Sequence, residues 1–316
     1  MRRRRRPLQF VVIVMGAFVA IAAGAAALSA LAPAPPSTES QDWHLYYTVQ
    51  HPDQFAIDWR GFYEKAEAGT SEARRALTVR LDLAYGTDPK QRLDLYLPKS
   101  GGSWPVFVFI HGGGFREGDR AQYGYVARSM AANGVATVVA SYRLLPHVFP
   151  DQVEDARLMV AWVYRHGREH GLDPARIYLG GHSAGAILSG LLGVTDDWQA
   201  PLGLPVDVVK GVAPVSGPYD LRNATGFVAD FLPDPTTREA ASPHLRIART
   251  PPAVVAYGAK ETPYVAASRA FVEALRAKGG RATLVELDGM THDQTALALG
   301  DASSPVARAI AGLIAR

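Results

Sequence analysis

Short apolar segments and longer amphipathic segments alternate along the chain from residue 77 onward. The short segments predict strands buried on both faces, because polar residues do not alternate with the apolar ones. They comprise residues 105–110, 135–140, 177–179, 208–215 and 253–257. Helical patterns lie between them, and residues 152–170 carry a continuous apolar stripe. This order predicts an α/β fold with a mostly parallel central sheet and helices on both faces.

Residues 77–84 and 92–97 differ from the other predicted strands because their apolar and polar positions alternate. A turn at residues 86–89, which begins with glycine and ends with proline, separates the two segments. This arrangement predicts an antiparallel hairpin at one edge of the sheet. Near the other end of the chain, residues 282–287 predict a further short strand, which a C-terminal helix follows.

The N-terminus has another pattern, in which the arginines at positions 2–6 precede an uncharged stretch at residues 8–32. A bilayer needs only about 20 apolar residues to be spanned, so this stretch is long enough. The arginines place the N-terminus in the cytoplasm and the rest of the chain outside it. We therefore expect residues 1–32 to be either a membrane-spanning signal anchor or a cleaved signal peptide, which would give a secreted or periplasmic protein.

Composition and charge change this picture in two respects. The chain of 316 residues carries a formal net charge of +3, but residues 1–32 contribute +5, so the remainder sums to −2. This mildly acidic remainder lacks the charge that binds phosphate backbones, and we expect no nucleic-acid partner. The absence of cysteine excludes disulfides, thiolate metal ligands and a cysteine nucleophile.

The same patterns divide the chain into regions. Residues 33–42 are rich in proline and predict a solvated linker between the N-terminal segment and the domain. Residues 43–316 then form the predicted α/β domain. Its first part, residues 43–76, is rich in aromatic residues and is expected to form a leader that lies against the domain.

The segment GHSAG at residues 181–185 lies between a predicted strand at residues 177–180 and a small-residue helix at residues 186–192. This strand–turn–helix context is typical of a nucleophile elbow. Glycines two positions before and after Ser183 keep the tight turn free of side chains, and the turn raises the hydroxyl above the sheet. We predict that Ser183 is a nucleophile and that the N–H of Ala184 faces the developing negative charge.

A second glycine-rich segment, HGGGF at residues 111–115, directly follows the predicted strand at residues 105–110. A loop of this kind can also bind phosphate, but neither a P-loop Lys-Ser/Thr nor a G-x-G-x-x-G segment accompanies it. Glycines allow backbone N–H groups to approach a substrate closely. We predict that the N–H groups of Gly112 and Gly113 join that of Ala184 in an oxyanion hole.

In these two motifs the chain resembles the α/β-hydrolase superfamily, specifically the esterase and lipase group with an HGGG loop and a GHSAG elbow. The resemblance covers about residues 77–311. Residues 94–115 (DLYLPKSGGSWPVFVFIHGGGF) are most similar to small carboxylesterases and kynurenine formamidase-like hydrolases. The hormone-sensitive lipase branch more often has an aspartate where this chain has His182. The resemblance implies an α/β-hydrolase fold, a serine esterase that acts on small-molecule esters, and no cofactor or metal.

In such hydrolases a carboxylate and then a histidine follow the nucleophile along the chain. Glu261 follows the predicted strand at residues 253–257, where the family pattern is Gly-x-x-Asp, and we predict that Glu261 is the acid. Asp220, in the loop after the preceding strand, is the alternative acid. His292 follows the strand at residues 282–287 and is predicted to be the base, whereas the other histidines fit this position poorly.

The substrate is less well defined by the sequence. Residues 222–248 form an insertion whose Phe227, Phe231 and Leu232 are expected either to form a small lid or to pack against the core. So short an insertion favours esters of short acyl chains. Two other functions stay open: hydrolysis of an aryl formamide, which the family resemblance allows, and a non-catalytic binding protein with a hydrolase fold.

Overall fold

The structure is a computed structural model in which residues 58–315 are described. The predicted signal anchor or signal peptide at residues 1–32 and the predicted linker at residues 33–42 lie outside the described residues. From residue 58 to residue 315, no helix combines the length and the apolar character that a membrane span requires.

A central sheet of eight strands and the helices that cover it make up the described part of the chain. The strands are β1 (Thr78–Ala84), β2 (Arg92–Leu97), β3 (Trp104–Ile110), β4 (Ala136–Ala140), β5 (Leu172–His182), β6 (Val209–Val215), β7 (Ala253–Gly258) and β8 (Ala282–Leu287). The α-helices are α1 (Trp59–Ala76), α2 (Val126–Ala131), α3 (Asp151–His166), α4 (Ala184–Val194), α5 (Phe227–Phe231), α6 (Thr262–Ala277), α7 (His292–Ala298) and α8 (Pro305–Ile314).

The strand order across the sheet is β1-β2-β4-β3-β5-β6-β7-β8. Strand β2 is antiparallel to both β1 and β4, whereas every other neighbouring pair is parallel. In the centre of the sheet, Val108 of β3 lies opposite Val138 of β4 and Leu179 of β5. The predictions of a mostly parallel sheet and of an antiparallel hairpin at its edge are therefore confirmed.

Two apolar cores lie on opposite faces of the sheet. On strand β3, Val106 and Val108 belong to one core and Phe107 and Phe109 to the other, because successive side chains point to opposite faces. Helices α3, α4 and α6 cover the first face, and helices α1, α2, α7 and α8 cover the second. The uninterrupted apolar sequence of β3 is thus explained by burial on both sides.

Two element boundaries differ clearly from the predictions. The helix predicted at residues 152–170 ends at His166, and a 3₁₀ turn closed by Gly171 in the left-handed region follows it. Strand β5 begins five residues earlier than predicted, because Leu172 pairs with Trp104 of β3.

Within the aromatic leader, helix α1 buries Phe62 and Tyr63 against the second core, as expected for a segment lying on the domain.

Candidate active site

Ser183 stands at the junction of strand β5 and helix α4, in a backbone conformation (φ 56°, ψ −115°) that residues with side chains rarely adopt. Its N–H donates to the carbonyl of Val215 at 2.9 Å, which ties the turn to β6. A Cβ at Gly181 would lie 2.3 Å from the carbonyl oxygen of Gly185, and a Cβ at Gly185 would lie 2.1 Å from that of Ile110. Only glycine fits these two positions, so the elbow geometry follows from the sequence.

The glycine-rich segment forms a turn beside Ser183, which we call the oxyanion loop (residues 111–118). A Cβ on Gly112 would lie 3.2 Å from Cβ of Ser183, so the loop backbone contacts the serine directly. Within residues 58–315, the N–H groups of Gly112, Gly113 and Ala184 donate to no protein acceptor. Two of these groups come from the loop and one from the N-terminus of helix α4. The arrangement offers backbone donors beside the hydroxyl, as an oxyanion hole requires.

His292 and Glu261 are in contact beyond the carboxyl ends of the neighbouring strands β8 and β7. Nδ1 of His292 lies 2.5 Å from Oε1 of Glu261, and both side chains are buried. Because a carboxylate only accepts, this contact places the proton on Nδ1 and leaves Nε2 as the basic nitrogen of the neutral ring. His292 is the first residue of helix α7, and Thr291 caps that helix in a capping box with Gln294. The cap fixes the backbone at the start of helix α7, where His292 lies.

Two donors hold the other oxygen of Glu261. Oε2 accepts from the hydroxyl of Ser216 at 2.7 Å and from the N–H of Gly258 at 2.5 Å. Ser216 follows strand β6 with a φ of 55°, a strained value that aims its side chain at the carboxylate. Sequence reasoning missed Ser216, although its place directly after a buried strand was a usable signal.

A further link joins His182, the residue before the serine, to helix α7. Nε2 of His182 lies 3.0 Å from the carbonyl oxygen of His292 and 3.1 Å from Oγ1 of Thr295. A carbonyl only accepts, so Nε2 of His182 carries a proton. Burial lowers the pKa of His182 well below its usual range, and the nearby His292 lowers it further, so the ring is neutral. His182 therefore holds the elbow and helix α7 together through hydrogen bonds.

Nitrogen and oxygen atoms of His182, Glu261 and His292 lie within 4.8 Å of one another, a spacing that would also suit a metal ion. The protonation pattern describes them better as a hydrogen-bonded set. Nε2 of His182 donates to a carbonyl, and Nδ1 of His292 donates to the carboxylate. These two ring nitrogens carry protons and have no lone pair for a metal, whereas Nε2 of His292 keeps the lone pair that a base requires.

Asp220, the alternative acid, is placed differently. Its side chain is exposed and forms a bidentate ion pair with Arg222, in which Nη2 lies 2.6 Å from Oδ2. Hydrogen bonds from Arg222 lower the pKa of Asp220. Because both carboxylate oxygens face a guanidinium, while Glu261 contacts the imidazole directly, the geometry favours Glu261 as the partner of His292.

The insertion at residues 222–248 packs against the oxyanion loop. Phe231 of helix α5 stacks on Phe115 of the loop, with ring centroids 3.9 Å apart, and meets the edge of Phe149 at 5.9 Å. Phe227 lies 6.3 Å from Phe115, and an ion pair between Arg116 and Asp230 adds a polar link. Of the two roles expected for Phe227 and Phe231, the structure shows packing, and this packing extends to the loop that flanks Ser183.

The fold and the site define an α/β-hydrolase with a serine elbow. The BD-FAE family profile matches residues 93–226, which contain both glycine motifs. The chain is 31% identical to Esterase LipC of Mycobacterium tuberculosis over 291 residues, which cover 83% of this chain and 71% of that protein. It is 28% identical to a probable isoprenylcysteine alpha-carbonyl methylesterase, ICMEL1 of Arabidopsis thaliana, over 68% of this chain and 51% of that protein.

Solved structures agree with this assignment. A thioesterase from Silicibacter sp., described as putative, superposes with a TM-score of 0.69 at 23% identity, over 85% of this chain and 99% of that one, which shows the fold. Thermogutta terrifontis esterase 2 has 26% identity and a TM-score of 0.56, over 69% of this chain and 84% of that one. The chain belongs to the carboxylesterase group of the α/β-hydrolases, which has kynurenine formamidase-like relatives, and it is a carboxylic ester hydrolase. It spans about half the length of the plant methylesterases that it matches.

Proposed function

We propose that this chain hydrolyses carboxylic esters of short acyl chains through a catalytic triad of Ser183, His292 and Glu261. The observation that carries the proposal is the 2.5 Å contact between Nδ1 of His292 and Oε1 of Glu261, beside the elbow that holds Ser183. The contact defines the tautomer of the base His292. It also places the carboxylate of Glu261 where it stabilises the imidazolium that forms when His292 takes up a proton.

In the first step, Nε2 of His292 accepts the proton of the Ser183 hydroxyl while Oγ attacks the ester carbonyl. The carbonyl oxygen becomes an oxyanion, which the N–H groups of Gly112, Gly113 and Ala184 bind. As the tetrahedral intermediate collapses, the ester C–O bond breaks and His292 donates its proton to the leaving alcohol. The product of this step is an acyl-enzyme on Ser183.

In the second step, His292 accepts a proton from water while the water oxygen attacks the acyl-enzyme. Collapse of the second intermediate returns the proton to Ser183 and releases the carboxylic acid. Glu261 stabilises the imidazolium in both steps, while Ser216 and Gly258 donate to its other oxygen and hold the side chain in place.

The preference for short acyl chains rests on the aromatic insertion. Helix α5 places Phe227 and Phe231 against Phe115, which follows the oxyanion glycines in the loop. We infer that these rings, which pack against the oxyanion loop, limit the space for an acyl chain beside Ser183. The five-residue helix is also too short to cover a long chain of a lipid substrate.

A second candidate function is hydrolysis of an aryl formamide. The chain is 30% identical to a kynurenine formamidase of Danio rerio over 166 residues, which cover 52% of this chain and 54% of that protein. The same serine chemistry would cleave the formyl C–N bond, with His292 donating the proton to the leaving amine. The two candidates differ in leaving group and acyl size, so substrate assays separate them.

The decisive experiment treats the α/β domain (residues 43–316) with a fluorophosphonate probe and assays it with p-nitrophenyl esters of increasing acyl-chain length. We expect stoichiometric labelling of Ser183 and a kcat/KM that falls from acetate and butyrate toward octanoate. An N-formyl aryl amine tests the second candidate. Failure of labelling together with no turnover of any substrate would overturn both candidates and support a non-catalytic binding protein.

We further propose that residues 1–32 deliver the domain across a membrane, either as an anchor or as a cleaved signal peptide. The support is the run of five arginines before an uncharged stretch of bilayer length. Fractionation of cells that make the full chain is expected to place the esterase activity in the membrane pellet and open to external protease. Activity on a soluble extracytoplasmic protein that begins near residue 30 would indicate cleavage, and activity confined to the cytosol would refute both versions.

A further inference from the structure

A buried carboxyl group lies behind the oxyanion loop. The side chain of Glu117 is 5% exposed, and its Oε1 accepts from the hydroxyl of Tyr63 on helix α1 at 2.7 Å. The backbone N–H of Glu117 donates to the carbonyl of Gly113 at 3.1 Å, and a Cβ on Gly113 would lie 3.1 Å from Cγ of Glu117. Glu117 thus contacts the glycine whose N–H is assigned to the oxyanion hole.

The groups around this carboxyl are neutral. Within the described part of the chain, the ionisable side chains that interact electrostatically with Glu117 are those of Tyr63, Tyr123 and Tyr142. Burial raises the pKa of each of these tyrosines, so all three stay protonated over the working range of an esterase. His111 is also buried in the loop, where desolvation lowers its pKa to about 4 and keeps it uncharged.

The nearest cation in the sequence does not neutralise Glu117. Arg116, the preceding residue, forms its ion pair with Asp230 on helix α5. In the described part of the chain, this buried carboxyl accepts from a tyrosine hydroxyl and faces no cation, so its ionisation is costly. Desolvation raises the pKa of Glu117 to about 9, although the hydrogen bond from Tyr63 opposes the shift.

We propose that Glu117 is a positioning residue of the oxyanion loop, which in its neutral form ties Gly113 to helix α1 through Tyr63 and which slows catalysis once it loses its proton. The inference rests on the proposed function, because it presumes that the N–H of Gly113 stabilises an oxyanion. A negative charge directly behind this donor would repel the oxyanion that forms in front of it. Helix α1 then helps to position the oxyanion loop, in addition to covering one face of the sheet.

The test compares pH profiles of kcat and KM for the wild type and three variants, from about pH 6 to about pH 10, with the uncatalysed rate subtracted. The wild-type kcat is expected to fall about tenfold or more above about pH 9, with KM changing less. Glu117→Gln keeps a neutral acceptor for Tyr63, so it should retain at least about a third of kcat at neutral pH and lose the alkaline fall. Tyr63→Phe removes a donor that favours the charged form, so the fall should move to higher pH.

The third variant, Glu117→Ala, removes the contact altogether and should lower kcat about tenfold at every pH, with rescue in Glu117→Gln. Glu64→Gln, an exposed glutamate on the same helix, is the matched control and should behave as the wild type. Coincident pH profiles for wild type and Glu117→Gln would overturn the proposal. So would a folded Glu117→Gln that is inactive at neutral pH, since the charge would then be required.

Thermal unfolding gives a readout that does not depend on turnover. Between pH 5 and pH 9 the unfolded state loses the Glu117 proton while the folded state keeps it, so wild-type stability falls as pH rises. Glu117→Gln should therefore melt at a higher temperature than the wild type, by a margin that grows with pH. If the difference in melting temperature between Glu117→Gln and the wild type does not grow with pH, Glu117 is not neutral in the folded state. If the difference grows as expected but the wild type hydrolyses no ester, only the proposed function is contradicted.

Discussion

Nε2 of His182 donates to the backbone carbonyl of His292 at 3.0 Å, although the two residues are 110 positions apart. Their rings lie 4.5 Å apart, so the end of strand β5 and the start of helix α7 are held together beside Ser183. The contact couples the elbow to the proposed base directly. This hydrogen bond, together with the packing of the core, therefore helps to fix the position of Ser183 relative to His292.

Ser183→Ala is expected to abolish ester hydrolysis and leave the fold unchanged, because alanine fits the turn. The loss of kcat for a removed nucleophile is about 10⁶-fold. Turnover of p-nitrophenyl acetate and fluorophosphonate labelling measure it, with Ser303→Ala, an exposed serine, as the control. Retention of more than about a thousandth of the activity would show that another residue attacks the ester.

Glu261→Gln is expected to lower kcat about 10⁴-fold, because an amide can favour the wrong tautomer of His292 and cannot stabilise the imidazolium. The matched variant is Asp220→Asn, which breaks only an exposed ion pair with Arg222 and should change kcat less than about threefold. Steady-state kinetics of both variants rank the two acids. A larger loss in Asp220→Asn would transfer the acid role to that residue.

Ser216→Ala is expected to lower kcat about tenfold with little change in KM. The variant removes one of the two donors to Oε2 of Glu261, and a hydrogen bond to a charged group contributes about 1.5–3 kcal/mol. Ser268→Ala, a buried serine in helix α6, controls for the loss of a hydroxyl from the core. Equal kcat values in Ser216→Ala and the wild type would mean that Gly258 alone orients the carboxylate.

Gly185→Ala is expected to destabilise the fold strongly, because its Cβ would lie 2.1 Å from the carbonyl oxygen of Ile110. Overpacking of this kind costs about 1–3 kcal/mol or more, which for a domain of this size lowers Tm by about 2–12 °C. Gly102→Ala is the control, since a Cβ there meets nothing within 4 Å. Matching Tm values for the two variants would show that the elbow relaxes to accept a side chain.

Phe227→Ala is expected to shift the substrate preference toward longer acyl chains. Removal of the ring opens space beside Phe115, and each methylene buried there contributes about 0.8 kcal/mol. The ratio of kcat/KM for octanoate to that for acetate should rise about tenfold. Leu245→Ala, an exposed residue of the same insertion, should leave the ratio unchanged. An unchanged ratio in Phe227→Ala would place the acyl chain elsewhere.

The amino-acid sequence by itself determined the alternation of strands and helices, the edge hairpin and the two glycine motifs. These features are local, since they follow from hydrophobic periodicity and from turns that only glycine allows. Strand β3 illustrates this: its unbroken apolar run already required burial on both faces. Ser183 could be proposed as the nucleophile for the same reason, because the motif and its strand–turn–helix context lie within one short segment.

Only the tertiary structure decided which distant side chains meet. The sequence favoured Glu261 over Asp220 as the acid, and the structure adds the partner that each carboxylate contacts in space. Neither Ser216 nor Tyr63 belongs to a recognisable sequence motif. Ser216 meets Glu261, and Tyr63 meets Glu117, only because the fold brings separate elements together. Hydrogen bonds between such elements depend on strand order and helix packing, which periodicity along the chain does not encode.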